Sequence, residues 1–257
     1  MESIKQIFKI GNGPSSSHTM APRWAALDFA EKNPGADRFE VTLYGSLAAT
    51  GKGHYTDKSL EDAFAPKKVE IVWDYHTVLP QHPNGMAFRA LDGAGNELDK
   101  WLTFSIGGGD LSDTGKRTPQ KQVYPLSKMA DIQSYCQEHG LHFWEYVNRY
   151  EESDLWDYLN EVWQIMKAAI RRGLQNEGVL PGPLNLARRA ASYYIKAQGY
   201  KGSMQRRAMA FSYALAVAEE NAEGTKIVTA PTCGSCGVIP SVLYLNQTSY
   251  NFPESRI

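Results

Sequence analysis

Residues 13–19 read Gly13-Pro14-Ser15-Ser16-Ser17-His18-Thr19, a short run that crowds serine and threonine hydroxyls around one imidazole. A helix-like stretch follows at residues 22–31. Hydroxyls at a helix start cap its free N–H groups, and the same place attracts a carboxylate or a phosphate. An imidazole there can move a proton near neutral pH. An ordinary N-cap beside an exposed histidine is the simpler reading of a Ser-rich turn. The apolar flanks, Ile7-Phe8-Lys9-Ile10 before and Trp24-Ala25-Ala26-Leu27 after, favour a site.

Other short runs carry weaker signals. In Gly51-Lys52-Gly53-His54, after a strand-like segment at 41–47, the glycines let backbone approach a ligand and Lys52 could hold a carboxylate. A solvated turn is the alternative. His82-Pro83-Asn84-Gly85-Met86 places a third histidine on a turn. Ile106-Gly107-Gly108-Gly109-Asp110 lacks the spaced glycines of a dinucleotide site or a P-loop, so close backbone packing or an anion nest is expected. The run 177–184 (EGVLPGPL) reads as a rigid connection between helices, and His76, His139 and His142 as structural residues.

Cys233-Gly234-Ser235-Cys236 has the spacing of a metal or redox pair. Zinc needs about four ligands, and no second pair accompanies this one. A thioredoxin-like centre would follow a strand and open a helix, a context that 226–229 and 238–245 permit. The preferred reading is a Gly-rich turn whose N–H groups face a site, with the thiols as small packing residues.

These runs need elements to hold them. Strand-like segments lie at 39–44, 69–73, 86–91 and 101–106, with a hairpin turn at 92–96. With helices at 22–31 and 56–64, this half reads as α+β. Residues 110–126 are polar, contain two prolines and lack periodicity, which marks a linker. Beyond it, Leu155, Leu159, Val162, Trp163, Met166, Ala169 and Ile170 recur at helical spacing within 154–174, with Ser153 the expected cap. Further helices are expected at 185–197 and 203–221.

Composition sets the bounds. The chain has 257 residues, 42% hydrophobic and 21% charged, with a formal net charge of −1. That suits a soluble globular protein and offers no basic surface for nucleic acid. No apolar run reaches membrane-span length, and no signal-peptide core opens the chain. Three cysteines, an odd count, argue against a disulfide framework and for a reducing cytoplasm.

Taken in order, the runs at 13–19, 44–47, 50–54, 84–86, 105–109, 177–184, 219–221 and 228–232 resemble the iron–sulfur-dependent bacterial L-serine dehydratases, or L-serine ammonia-lyases. The resemblance extends from Phe8 to the end of the chain and looks like the single-chain form. It implies a β-type α+β domain over 1–125, then the beginning of an all-α, α-type catalytic domain over 127–257. It also implies deamination of L-serine to pyruvate and ammonia, a step of amino-acid catabolism that feeds gluconeogenesis. In this family a [4Fe–4S] cluster with one iron free of thiolate serves as the Lewis acid. The resemblance points to His54 as the base, with His18 and His82 as its neighbours. Ser16, Ser17 and Thr19, with Lys52 as a weaker candidate, are expected to hold the substrate carboxylate.

The chain also departs from the family pattern. The cluster cysteines of relatives lie further downstream, so no cluster ligand and no other metal ligand is expected before Ile257. Cys136, Cys233 and Cys236 are not assigned that role. The chain therefore reads as truncated, and an inactive fragment that retains a serine-binding or regulatory domain is the alternative. A redox protein using Cys233 and Cys236 is a third reading. Ala21 stands where relatives usually carry Gly, and Lys58-Ser59 where they tend to be apolar, with consequences expected for the His18 and His54 turns. L-serine is the expected partner, without nucleic acid or membrane; homodimerisation stays open.

Overall fold

A computed structural model of the chain describes residues 1–116 and 121–257, so the expected linker at 110–126 lies partly outside the described residues. Its first three residues, Asp110–Ser112, form a short strand.

The first half is built on a five-stranded sheet. Strands β1 (Ile10–Asn12), β2 (Arg38–Tyr44), β3 (Lys68–Asp74), β4 (Gly85–Leu91), β5 (Glu97–Gly107), β6 (Asp110–Ser112) and β7 (Lys226–Val228) follow in chain order. The large sheet runs β3-β2-β4-β5-β6, with β2 and β3 parallel and the other pairs antiparallel. Along β2, Phe39, Val41 and Leu43 are buried while the residues between them are more exposed. That two-residue alternation is what a strand with one covered face requires.

Helices α1 (Ala21–Lys32), α2 (Gly45–Thr50) and α3 (Thr56–Phe64) belong to this half. The core joins Phe29 of α1 and Leu60 and Phe64 of α3 to Phe39, Val41, Leu43, Met86 and Phe88 of the sheet. Phe39 and Phe64 stack at 4.3 Å between ring centroids. The strand expected at 41–47 stops at Tyr44. Gly45, at φ +53°, turns the chain into α2, and a side chain there would collide with the Pro83 carbonyl oxygen 2.6 Å away.

Helices α4 (Met129–His139), α5 (Phe143–Tyr150), α6 (Leu155–Gln175), α7 (Ala190–Gln198), α8 (Gly202–Glu223) and α9 (Val238–Tyr250) make the second half. The mixed first part and helical second part agree with the fold class expected from sequence. Helix α6 buries Leu155, Val162, Trp163, Met166, Ala169 and Ile170, and its N-cap is Asp154 instead of Ser153. Helix α7 begins five residues later than expected, because residues 178–188 fold back on themselves. Leu180 N–H donates to the Leu186 carbonyl at 2.8 Å, and Arg188 N–H to that of Gly178 at 2.8 Å. Pro181, Gly182 and Pro183 in that stretch do not sustain a helix.

The two halves share one ribbon. Strand β1 pairs antiparallel with β7, Ile10 opposite Val228 and Asn12 opposite Lys226. This pairing sets the residues just after Asn12 against the end of α8.

Candidate functional site

The hydroxyl-rich run forms a π-helical turn, Ser16–Met20, that continues directly into α1. Ser15 is its cap, its Oγ accepting the His18 N–H at 3.1 Å. Pro22 explains the widened turn. It has no N–H to offer the carbonyl four residues back, which is that of His18, and its ring crowds that carbonyl. The missing donor comes from α3, where Thr56 Oγ1 donates to the His18 carbonyl oxygen at 2.5 Å.

Two more hydroxyls complete the brace. Ser59 Oγ donates to the Thr19 carbonyl at 3.0 Å, and Thr19 Oγ1 donates to the His54 carbonyl at 2.7 Å. Ser59, where a departure from the family pattern is expected from sequence, ties α3 to the turn. Lys58 lies over the Tyr55 ring, its Nζ 4.9 Å from the centroid, and Ala21 is fully buried.

This brace sets two imidazoles side by side, the rings of His18 and His54 having centroids 4.8 Å apart. His18 is flanked by hydroxyls, Nδ1 2.9 Å from Ser17 Oγ and Nε2 3.2 Å from Ser46 Oγ. Burial, and then the neighbouring His54, push its pKa down to about 4, so the ring is neutral at pH 7. His54 Nδ1 lies 2.9 Å from the Thr50 carbonyl oxygen. A carbonyl only accepts, so Nδ1 carries the hydrogen and Nε2 of the neutral ring keeps its lone pair.

The other expected site residues occupy different positions. Ser16 is buried, and its carbonyl takes the Ala21 N–H. Thr19 is buried and spends its hydroxyl hydrogen on His54. Lys52 is exposed and lies over the Trp73 ring, 5.5 Å from Nζ to centroid. His82 Nδ1 accepts the Asn84 N–H at 3.1 Å. Its turn is nonetheless tied to the histidine pair, because the Pro83 carbonyl accepts the Ser46 N–H at 3.1 Å.

The helical half fixes where the turn begins. Gly13 N–H donates to the Thr225 carbonyl at 3.2 Å, and Asn221 Nδ2 to that of Pro14 at 3.3 Å. A Cβ on Gly13 would lie 2.3 Å from both the carbonyl and side-chain oxygens of Asn221, so only glycine fits. Next to Asn221, the carboxylate of fully buried Glu220 accepts from Arg172, Asn176, Arg188 and Thr225 at 2.9–3.1 Å. Burial raises its pKa, but the hydrogen bonds from Arg172, Thr225 and Asn176 outweigh that and hold it below the usual range. Glu219 accepts the Arg189 N–H at 2.6 Å. The residues of 219–221 thus brace the 178–188 fold-back and the turn at once.

The CxxC pair does sit between β7 and α9, yet both thiols are buried and free. Burial pushes Cys233 up to about 12 and Cys236 up to about 11. Neither is a ready thiolate, and both pack in a core with Met20, Ile170 and Tyr213. Cys136 belongs to a separate cluster with Tyr124, Ile132 and Tyr146. Among the described residues no group of three His, Cys, Asp or Glu side chains is placed to hold a metal ion. These cysteines do not fit an iron–sulfur cluster.

Ser46, Thr50, Thr56 and Asn221 were not singled out as site residues from sequence. Ser46 lay within the 44–47 run, Thr50 within 50–54 and Asn221 within 219–221; Thr56 had no signal beyond its nearness to His54.

Residues 59–257 match the serine dehydratase alpha chain family, and residues 3–61 the serine dehydratase beta chain family. The chain is 35% identical to the L-serine dehydratase of Haemophilus influenzae, covering 95% of this chain and 66% of that protein. It is 36% identical to L-serine dehydratase 2 of Escherichia coli, with 95% and 65% covered, and 33% identical to the Streptomyces coelicolor L-serine dehydratase, with 94% and 65% covered. It thus spans about two thirds of the length of these relatives.

Proposed function

Since the chain belongs to the serine dehydratase family, we propose that it carries the substrate-binding and proton-abstracting part of an L-serine ammonia-lyase site. The observation that carries this reading is the His18–His54 pair, with centroids 4.8 Å apart and the lone pair of His54 directed to Nε2 by the Thr50 carbonyl. Loss of water from L-serine begins with removal of the Cα proton, and an imidazole whose tautomer is set suits that work. His54 Nε2 takes the proton. His18, neutral at pH 7, adds no positive charge that would oppose protonation of its neighbour.

The substrate carboxylate has a natural seat at the start of the π-helical turn, whose first N–H groups have no intrahelical carbonyl. Ser17 Oγ lies at that edge, in line with His18. Thr19 and Ser16 then act as positioning residues. The β-hydroxyl leaves with the proton held by His54, as water, to give aminoacrylate, which tautomerises to the imine and takes up water to release pyruvate and ammonia. No step is assigned to a cluster, because the thiols of this chain do not form a ligand set for one.

Anaerobic pyruvate formation from L-serine, paired with calorimetric titration of L-serine, tests the proposal. The expected result is binding by the unaltered chain, and a pyruvate rate that His54→Ala lowers by about 100-fold or more with binding preserved. An unaltered rate in that variant removes the base assignment. Binding with no turnover in either form supports instead a serine-binding module, and absence of binding ends both readings.

A further inference from the structure

His18, His54 and the turn that carries His82 are all tied to one short helix. Helix α2 spans six residues, Gly45–Thr50. Ser46 and Thr50 stand four apart and share one face of it. Leu47 and Ala48 turn the other way and are buried in the core with Leu43 and Phe88 of the sheet. That buried pair anchors α2, so the Ser46–Thr50 face is a fixed edge.

Ser46 makes three contacts from this edge. Its N–H donates to the Pro83 carbonyl at 3.1 Å, in the His82 turn. Its carbonyl accepts the Thr50 hydroxyl at 2.8 Å, and the Thr50 carbonyl in turn lies 2.9 Å from His54 Nδ1. Its Oγ lies 3.2 Å from His18 Nε2 and is the partner of that nitrogen among the described residues. Main-chain groups thus hold the His82 turn and His54, and only the His18 contact depends on the side chain at position 46. A hydroxyl suits it, because a hydroxyl both donates and accepts. With Ser17 Oγ at Nδ1 and Ser46 Oγ at Nε2, His18 is held in either tautomer, whereas the Thr50 carbonyl admits one tautomer of His54.

We propose that Ser46 is a positioning residue of the imidazole pair: its hydroxyl keeps the His18 ring against His54 and so limits the directions in which the base can aim Nε2. This rests on the assignment of His54 as the base. Without the hydroxyl, the His18 ring is tied at Nδ1 alone and can turn away from its neighbour. A base out of line loses rate while substrate affinity is kept.

Ser46→Ala and Ser46→Thr in the full chain, with isotope-labelled histidine, provide the test. Ser46 is half-buried and alanine suits a helix, so the urea midpoint of Ser46→Ala should stay with that of the parent. Nuclear Overhauser effects between the His18 and His54 ring protons are expected in the parent, whose ring centroids are 4.8 Å apart. Ser46→Ala should lose them while His54 keeps its hydrogen on Nδ1, and its pyruvate rate should fall about 5-fold with unchanged L-serine affinity. Ser46→Thr should restore both. Inter-ring effects that persist in Ser46→Ala, a fall in affinity in place of a fall in rate, or no recovery in Ser46→Thr each overturns the proposal. A parent chain that forms no pyruvate overturns the assigned function instead, and the inter-ring effects then decide the role of Ser46 by themselves.

Discussion

Thr56 and His18 lie 38 residues apart in the chain, and the hydroxyl of one donates to the backbone carbonyl of the other at 2.5 Å. This bond replaces the helical donor that Pro22 lacks, and it holds α3 against the turn that carries His18. Because His54 precedes α3 by two residues, the same contact sets the spacing of the two imidazoles. Thr56→Val is expected to leave that buried carbonyl without a donor and to lower unfolding free energy by about 1–3 kcal/mol. Thr56→Ser should recover most of it, as urea titration of the three forms will show.

The depressed pKa of His18 makes stability depend on pH. The unfolded ring takes up its proton near 6.5, whereas the folded ring resists protonation down to about 4. The His18 contribution is therefore complete above 6.5 and is lost as pH falls through that interval. With solvent screening allowed for, its size is roughly 1–2 kcal/mol. Thermal unfolding from pH 7 to pH 4 should show a shallower decline for His18→Gln than for the parent chain; equal declines would contradict the assignment.

Gly13 meets the end of α8 with no room for a methyl group. Gly13→Ala places a carbon 2.3 Å from the Asn221 carbonyl oxygen, so the turn or the helix end must move. Overpacking of this kind costs about 1–3 kcal/mol. L-serine affinity measured by calorimetry should fall with stability, because the Ser15–His18 turn starts two residues later.

Glu220 holds Arg172, Arg188, Asn176 and Thr225 at once. Glu220→Gln removes the charge and swaps one acceptor for a donor facing an arginine. A loss of about 3 kcal/mol is expected by urea unfolding. Faster proteolysis within the 178–188 fold-back should accompany it, because Arg188 is anchored there.

Anaerobic reconstitution with iron and sulfide should leave the chain without an intact cubane, well short of about four iron per chain. Its two buried CxxC thiols hold their protons, and Cys136 lies in another cluster. Iron analysis alongside the cluster's visible absorption checks this.

Much of the scaffold was legible because it follows from local periodicity. The alternation of Phe39, Val41 and Leu43 and the three-and-four spacing of Val162, Trp163 and Met166 each name a buried face without any knowledge of what covers it. Departures occurred where a single residue overrides the pattern. Gly45, at positive φ, ended a strand that hydrophobicity alone would have carried to Leu47, and the Pro181–Pro183 segment delayed α7.

From residue order alone came the element types, the hydroxyl-rich turn, the candidacy of His18 and His54, and the family resemblance that the comparisons support. Tertiary structure alone decided that the His18 and His54 rings lie side by side, that Thr19 is a strut, and that Lys52 leans on Trp73. It also made Ser46, Thr56 and Asn221 partners of a turn remote from them in sequence. The reason is physical. Periodicity and capping are short-range, so a sequence displays them directly, whereas a hydrogen bond across 38 or 207 residues exists only once packing has brought donor and acceptor together.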